Sequence, residues 1–462
     1  MESSILEISK LLRARKVSPV DLTEECLAGI EALNPVLNAF ITVTAGAARA
    51  QARQAEAEIE RGQWRGPLHG IPLGLKDLID TAGVLTTAGS ARFEERIPAE
   101  DAEVVGRLKA AGAVLLGKQN LHEFAYGGSS VVSHSGAVRN PWDPAHIAGG
   151  SSGGSAASVA AGLGFAAIGT DTAGSVREPA AFCGVVGLKP TYARVSARGV
   201  FPLSISLDHV GPMTRTVADA AILLEAMADP AAVNASGNVM SVPDYAGGLG
   251  ESTHSLTLRV GIPRVFFYED LDPEVASAVD QALQIISRLT AATREVSLTV
   301  DTGRSLQLAE SYSVHAEFAA RHPELYQPET LRRIRAGQDI GPAQVTESRD
   351  QLARSRREIQ RVFEEVDVLV TPTTPMAAPA LAPLEEQPDR LRPAELAMLR
   401  NTRPFNVWGI PAISVPCGFT RAGLPIGLQI SGPHWGEASV LQLAHAYEQA
   451  TGWHRRHPEC SV

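Results

Sequence analysis

A serine hydroxyl is a weak nucleophile until a base takes its proton. Two stretches of this chain could supply such a pair. One is Lys76 in the run GIPLGLKD; the other holds the serines of GGSSGGSAASVAAGLGFAAIGTDTAGSVREPAAFCG, from Gly149 to Gly184. A lysine is a base only as a neutral amine, and burial among apolar neighbours lowers its pKa toward working pH. Lys76 follows Leu73, Gly74 and Leu75, and the chain has only six lysines (Lys10, Lys16, Lys76, Lys109, Lys118, Lys189) among 41 basic residues. Arginine could not serve, because its guanidinium stays protonated. Taken alone, Lys76 also fits a packed stem with its head in water.

The glycine-serine run favours the chemical reading. Glycines beside serines let backbone N–H groups and hydroxyls approach a substrate closely. The run holds Ser151, Ser152, Ser155 and Ser158, and a second small-residue turn, Thr172-Ala173-Gly174-Ser175, follows an apolar segment. Several N–H groups converging at that turn would make an oxyanion hole. A flexible linker would continue in polar filler. This run passes directly into apolar, alanine-rich sequence instead.

GIPLGLKD, GGSSGGSAA and GTDTAGSVREPAAFCGVVGLKPT resemble the signature of the amidase signature family. The resemblance extends through GKQNLHEFAYG, RNPWD and SLDHVGPMTRTVAD to DVLVTPTTP, NVWGIPAISVPCGF and LPIGLQISGP, and so covers most of the chain. It implies a hydrolase of C–N bonds in small carboxamide-like substrates (amides, anilides, carbamates, ureas or some esters), working through an acyl-enzyme. It assigns Lys76 as base, Ser175 as nucleophile and Ser151 as the bridging serine after a cis Gly150–Ser151 peptide. The N–H groups of Thr172, Ala173, Gly174 and Ser175 match the oxyanion hole. Ala173 departs from the glycine many members carry there, which narrows the pocket by a methyl. Candidate pocket residues are Tyr126, Gly127, Gly149, Gly150, Arg177, Phe182 and Trp408, with an Asp171–Arg177 ion pair bracing the loop as the alternative role for Arg177. The glutaminase component of the glutamyl-tRNA amidotransferase carries the same signature. Asp301 to Arg403 offers little match to that component, which favours a stand-alone hydrolase.

Rival motifs fail on context. Gly150-Ser151-Ser152-Gly153-Gly154 satisfies the G-x-S-x-G nucleophile elbow, but the preceding NPWDPAHIAGG, with Pro141 and Pro144, reads as loop instead of strand. Gly112 to Gln119, GAVLLGKQ, approaches a nucleotide-binding P-loop, yet Gln119 replaces the magnesium-holding hydroxyl and AVLL reads as a buried strand. Twelve histidines are scattered without HExxH, and no paired CxxC occurs. No metal site and no cofactor are expected. His69 and His209 read as satisfied polar residues near the core.

The elements that must position these groups are those of an α/β chain. Helix patterns cover 18–33 and 46–61, a strand 113–117, and a small-residue helix begins near Gly154. SRDQLARSRREIQRVFEEV predicts an amphipathic helix feeding the strand DVLVT; AISVPCGF and PIGLQISG predict strands before a helix over EASVLQLAHAYEQATG. PMAAPALAPLEEQPDRLRP is dense in proline and predicts irregular, mobile chain. We expect one domain over 1–462, an α/β/α fold around a mixed, mostly parallel sheet. Its signature core spans about 70–220, a helical cap beside the pocket about 300–350, and C-terminal strands and helix about 360–455.

At 462 residues, 44% hydrophobic and 20% charged, the chain is long enough to bury a large core. Its net charge of −10 argues against a nucleic-acid surface. MESSILEISKLLRARK lacks the apolar core of a signal peptide, and no apolar run approaches 18 residues, so a cytoplasmic location is expected. Cys26, Cys183, Cys417 and Cys460 fit reduced thiols. The expected partners are a small amide-like substrate and a second copy of the chain, with no nucleic acid and no membrane.

Overall fold

The computed structural model describes residues 3–250 and 256–459. Eleven strands form one sheet: β1 (Phe40–Val43), β2 (Pro72–Lys76), β3 (Val114–Gln119), β4 (Ala166–Asp171), β5 (Val186–Lys189), β6 (His209–Thr214), β7 (Leu256–Ile262), β8 (Thr290–Glu295), β9 (Val368–Pro372), β10 (Ala412–Phe419) and β11 (Pro425–Ser431). Their order is β1-β3-β2-β4-β6-β5-β10-β11-β9-β7-β8. The sheet is mixed and flanked by helices, as expected, but it is not mostly parallel. Only β3-β2-β4 and β9-β7-β8 pair in parallel; the six pairings at β1/β3 and from β4 to β9 are antiparallel. β10 and β11 form an antiparallel hairpin across residues 420–424, and β6 lies antiparallel to both β4 and β5, so the middle of the sheet lacks parallel βαβ pairs.

β2, β3 and β4 are buried along their whole length, as strands covered on both faces must be. The helix Gly153–Ala160, made of small residues and buried throughout, packs against β2 and β4. Its small side chains let the backbone carrying Ser151 and Ser152 approach the sheet. The helices Pro19–Leu37, capped by the Ser18 hydroxyl, and Ala45–Glu60 match the predicted segments. GAVLLGKQ forms the buried strand β3 and not a phosphate-binding loop.

The proline-dense stretch is a correction. It contains the helix Ala382–Glu386 and the first half of Pro388–Met398, each with proline in its first turn, and Pro393 lies inside the second helix. Proline is favoured in a first turn because the missing N–H has no intrahelical partner there anyway. Helices Ser305–Arg321, Pro328–Arg335 and Pro342–Glu358 occupy the polar region before β9. Cys26, Cys183 and Cys417 are buried free thiols, while Cys460 lies outside the described residues. Among the described residues no helix is long and apolar enough to cross a membrane.

Candidate active site

Lys76 is the last residue of β2, at the carboxyl end of the parallel β3-β2-β4 unit, where open α/β sheets place their ligands. The parallel register sets Leu75 beside Ile168, so Lys76 emerges next to Gly169 and Thr170 of β4. Its side chain is fully buried. Nζ lies 2.8 Å from Ser151 Oγ, 2.8 Å from Ser152 Oγ and 2.9 Å from Thr170 Oγ1. Burial pulls its pKa down to about 7, against a smaller upward pull from Asp171 and Asp208.

The hydroxyl network limits how a neutral amine can sit. Ser152 Oγ donates to Thr170 O at 3.2 Å, so toward Lys76 it is an acceptor. A neutral amine has two donors and one lone pair. With Ser152 and Thr170 Oγ1 taking the two N–H bonds, the lone pair is left for Ser151. The Gly150–Ser151 peptide is cis, as the resemblance implied. The Gly150 N–H donates to Glu178 Oε2 at 2.7 Å, holding this turn from the far side. Ser152 is thus a lysine partner next to a loop, not the tip of a strand-to-helix elbow.

Ser175 sits on the turn between β4 and the helix Arg177–Cys183, and its carbonyl accepts the Ser152 N–H at 3.2 Å. The turn is built on a buried ion pair. Asp171 accepts from the Gly174 N–H (2.8 Å), the Val176 N–H (3.1 Å), Arg177 Nε (3.0 Å), Arg177 Nη2 (2.9 Å) and Asn406 Nδ2 (2.8 Å). Arg177 also reaches Thr402 O, Gln429 and Asn406. Despite full burial, these donors hold the Asp171 carboxyl well below the usual carboxylate range. Gly174 has φ +137°, and a Cβ there would collide with Thr402 Oγ1, so no other residue fits.

Two expectations change here. The Gly174 N–H, expected as an oxyanion donor, is already committed to Asp171. Among the described residues the N–H groups of Thr172, Ala173 and Ser175, the other three expected donors, carry no hydrogen bond to the chain. Arg177 is fully buried in its ion pair, so it braces the loop instead of lining a pocket. Phe182 packs with Ile147, Leu381, Leu391 and Met398, and Trp408 with Phe267, Phe405 and Ile410; both are core side chains. Gly149 backs onto Glu178 and Phe182. Tyr126 and Gly127 lie on the loop after β3, where His122 N–H donates to Ser151 O at 3.1 Å.

Sequence reading missed Thr170, Ser152 and Asp208 as part of this centre. Thr170 and Thr172 line a cavity of about 320 Å³ with Ala125, Phe201, Leu203 and Asp208. Thr172 Oγ1 donates to Asp208 Oδ1 at 2.6 Å, and burial pushes the Asp208 carboxyl up to about 6. The two-residue alternation along β4 puts Thr170 and Thr172 on one face and Asp171 on the other, a signal readable once β4 is recognised. His209 is only half satisfied: its Nδ1 lies 2.7 Å from Leu207 O, while its buried Nε2 has no partner among the described residues.

A lysine amine buried among hydroxyls, beside a turn with free N–H groups at the end of a mixed sheet, defines a class of hydrolases that activate serine without histidine. Comparison with known proteins gives the family. The Amidase family model matches residues 21–441, and the chain belongs to that family. A glutamyl-tRNA(Gln) amidotransferase subunit of Roseiflexus sp. (strain RS-1) is 40% identical over 99% of this chain and 98% of its own. The native peptide amidase of Stenotrophomonas maltophilia superposes with a TM-score of 0.84 at 31% identity, covering 100% of this chain and 99% of that one. A solved structure concerning a vestigial protein complex and the evolutionary origins of an s-triazine catabolic enzyme superposes at 0.89. It has 33% identity and covers 97% and 99% of the two chains. This protein is therefore an enzyme of the amidase type, acting on C–N bonds. The alignment with the amidotransferase chain runs through Asp301–Arg403 as well, so that region does not set this protein apart from it.

Proposed function

We propose that the enzyme hydrolyses a small carboxamide-like substrate with Ser175 as nucleophile, Ser151 as proton relay and Lys76 as base. The observation that carries this is the fully buried Lys76 amine, 2.8 Å from Ser151 Oγ with its pKa lowered to about 7. Neutral Lys76 takes the Ser151 proton while Ser151 takes that of Ser175, and Ser175 Oγ bonds to the carbonyl carbon. The negative charge that develops on the carbonyl oxygen falls to the free N–H groups of Thr172, Ala173 and Ser175. The proton then returns through Ser151 to the leaving nitrogen, the C–N bond breaks, and an acyl-Ser175 ester remains. Water repeats the sequence and releases the acid. Ser151 and Ser175 make no mutual hydrogen bond; such contacts commonly tighten only when substrate is bound.

The test is to label the protein with a serine-directed fluorophosphonate, map the adduct, and assay short amides, anilides and carbamates. An adduct at Ser175 and loss of turnover in Ser175→Ala are expected. An adduct at Ser152, or turnover surviving Ser175→Ala, overturns the assignment.

A second reading, as the corresponding component of a glutamyl-tRNA amidotransferase, is favoured by the 40% identity over 99% of the chain. It requires partner chains, and purification as an obligate complex with glutaminase activity would establish it. The stand-alone reading takes a small amide and at most a second copy of the chain. We read 1–462 as one domain, since one sheet carries strands from residue 40 to 431, with the helices of 305–358 as a cap. Buried free thiols fit a reducing, cytoplasmic setting.

A further inference from the structure

The cavity of about 320 Å³ walled by Thr170 and Thr172 has a second wall that the mechanism does not use. It is the segment 200–205, which contributes Val200, Phe201, Pro202, Leu203 and Ile205. The antiparallel register sets Val210 of β6 opposite Thr170, so Val210 shares the cavity's face. His209 lies opposite Asp171, and its Nδ1 turns to the carbonyls of Asp171 and Leu207. The polar groups around this space are committed elsewhere. Thr170 Oγ1 lies 2.9 Å from Lys76 Nζ, and Thr172 Oγ1 donates to Asp208 at 2.6 Å. Asp208 also accepts from the N–H groups of Leu203 (2.9 Å) and Ser204 (3.0 Å), and the exposed Arg198 pairs with Glu103 at 3.0 Å. Among the described residues that line the cavity no charged group is left without a partner, and the segment 200–205 presents hydrocarbon to it.

This wall is held rigidly. Phe201 packs against the rings of Phe93, Phe124 and His315, with centroids 5.2, 5.3 and 5.5 Å away, and its N–H donates to Leu78 O at 2.9 Å. On either side of Ile205, the hydroxyls of Ser204 and Ser206 each donate to Glu310 at 2.6 Å, which ties the segment to the helix Ser305–Arg321. An apolar cavity of about 150 Å³ holds a benzene; this one has room for a phenyl ring and its linker. Its position decides which half of a substrate it serves. The leaving nitrogen collects its proton from Ser151, which is hydrogen-bonded to Lys76 at 2.8 Å. Thr170, hydrogen-bonded to the same amine, is a wall of the cavity, and Thr172, whose N–H is one of the unpaired donors, is another. The cavity therefore abuts the base side of the reacting carbonyl, where the amine half of an amide sits.

We propose that this cavity receives an uncharged aryl or alkyl group carried on the leaving nitrogen, so that the enzyme prefers N-substituted amides to primary ones. Leu203 and Ile205 set the size of the group it accepts. This inference rests on the hydrolase reading above and names the amine half of its substrate.

The test measures kcat/KM for N-benzylacetamide against N-methylacetamide, and for 3-phenylpropanamide against acetamide, in the full chain and in Leu203→Trp and Ile205→Trp. The first pair places the ring on the amine side, the second on the acyl side. In the first pair the ring should raise kcat/KM about 10- to 100-fold, the usual worth of moving a phenyl group out of water, and by more than in the second. N-(4-carboxybenzyl)acetamide should lose that gain, because its carboxylate would enter a space with no partner for it. Both Trp variants should remove most of the gain by narrowing the cavity; Ile205 is 65% exposed, so its replacement leaves the core alone. The rate of fluorophosphonate labelling at Ser175 reports whether each variant is folded and competent. N-benzyl and N-methyl amides cleaved alike, a larger gain in the acyl pair, or a gain unmoved by both Trp variants overturns the amine-side cavity while leaving the hydrolase intact. Absence of Ser175 labelling and of all amide cleavage in the unaltered chain instead overturns the hydrolase reading on which it rests.

Discussion

If Lys76 is the base, the pH dependence of kcat/KM on an uncharged anilide reports its protonation. An ordinary lysine with a pKa of 10.5 would be neutral in about one molecule in three thousand at pH 7. Burial brings the Lys76 value to about 7, so roughly half the enzyme carries the free amine at that pH. The shift corresponds to about 5 kcal/mol of disfavoured charge, supplied by desolvation and only partly offset by Asp171 and Asp208. The sign follows directly. Below pH 7 the ammonium cannot accept a proton, and kcat/KM should fall tenfold per pH unit; above about pH 8 it should level off. The assay is a profile from pH 5 to pH 10 with protein concentration fixed by fluorophosphonate titration. A rate still rising tenfold per unit between pH 8 and pH 10 would refute the reasoning, because it would show a base with an ordinary amine pKa.

Neighbouring charges should move that limb in opposite directions. Asp208→Asn removes a negative charge that favours the ammonium, so the limb should shift below 7, read in the same profile. Arg177→Met leaves Asp171 uncompensated and should shift the limb upward, while lowering stability by about 3–5 kcal/mol in urea denaturation, the cost of breaking a buried pair. Gly174→Ala, with φ +137° and a Cβ driven into Thr402 Oγ1, should lose Ser175 labelling and about 1–3 kcal/mol of stability. Ala173→Gly should keep kcat within about threefold, since the donor there is backbone; a loss of a hundredfold would mean that the methyl shapes the site. Lys76→Met should abolish turnover yet raise the thermal midpoint near pH 6, because the unfolded chain binds a proton that the folded one resists.

What could be read from the sequence was what neighbouring residues decide among themselves. β2, β3 and β4 announce themselves as apolar runs, and Lys76, Ser151 and Ser175 lie in dense local motifs. The misreadings involve partners distant in the chain. Phe182 packs on residues 381–398, and Trp408 on Phe267, so their aromatic character said nothing about which cluster would take them. The Gly174 N–H looked available because only the folded turn brings Asp171 to it. Proline density argues against helix at 375–393, yet Pro383 and Pro388 fall in first turns, where proline is favoured, and Pro393 is accommodated inside the second helix.

The arrangement also explains how a lysine can be neutral on the strand beside the one that presents a buried carboxylate. Asp171 is next to Thr170, whose hydroxyl touches Lys76 Nζ, and its charge alone would hold the amine protonated. Arg177 meets that charge with two nitrogens at 2.9 and 3.0 Å, and the Gly174, Val176 and Asn406 donors saturate what remains. Most of the carboxylate's charge is thus met within its own network, and a smaller upward pull on Lys76 remains. Lys76, on the other side of β4, is left with hydroxyls, which solvate an amine without demanding a charge. One ion pair therefore does two things: it shapes the turn that carries Ser175, and it weakens the upward pull of Asp171 so that burial decides the state of the base.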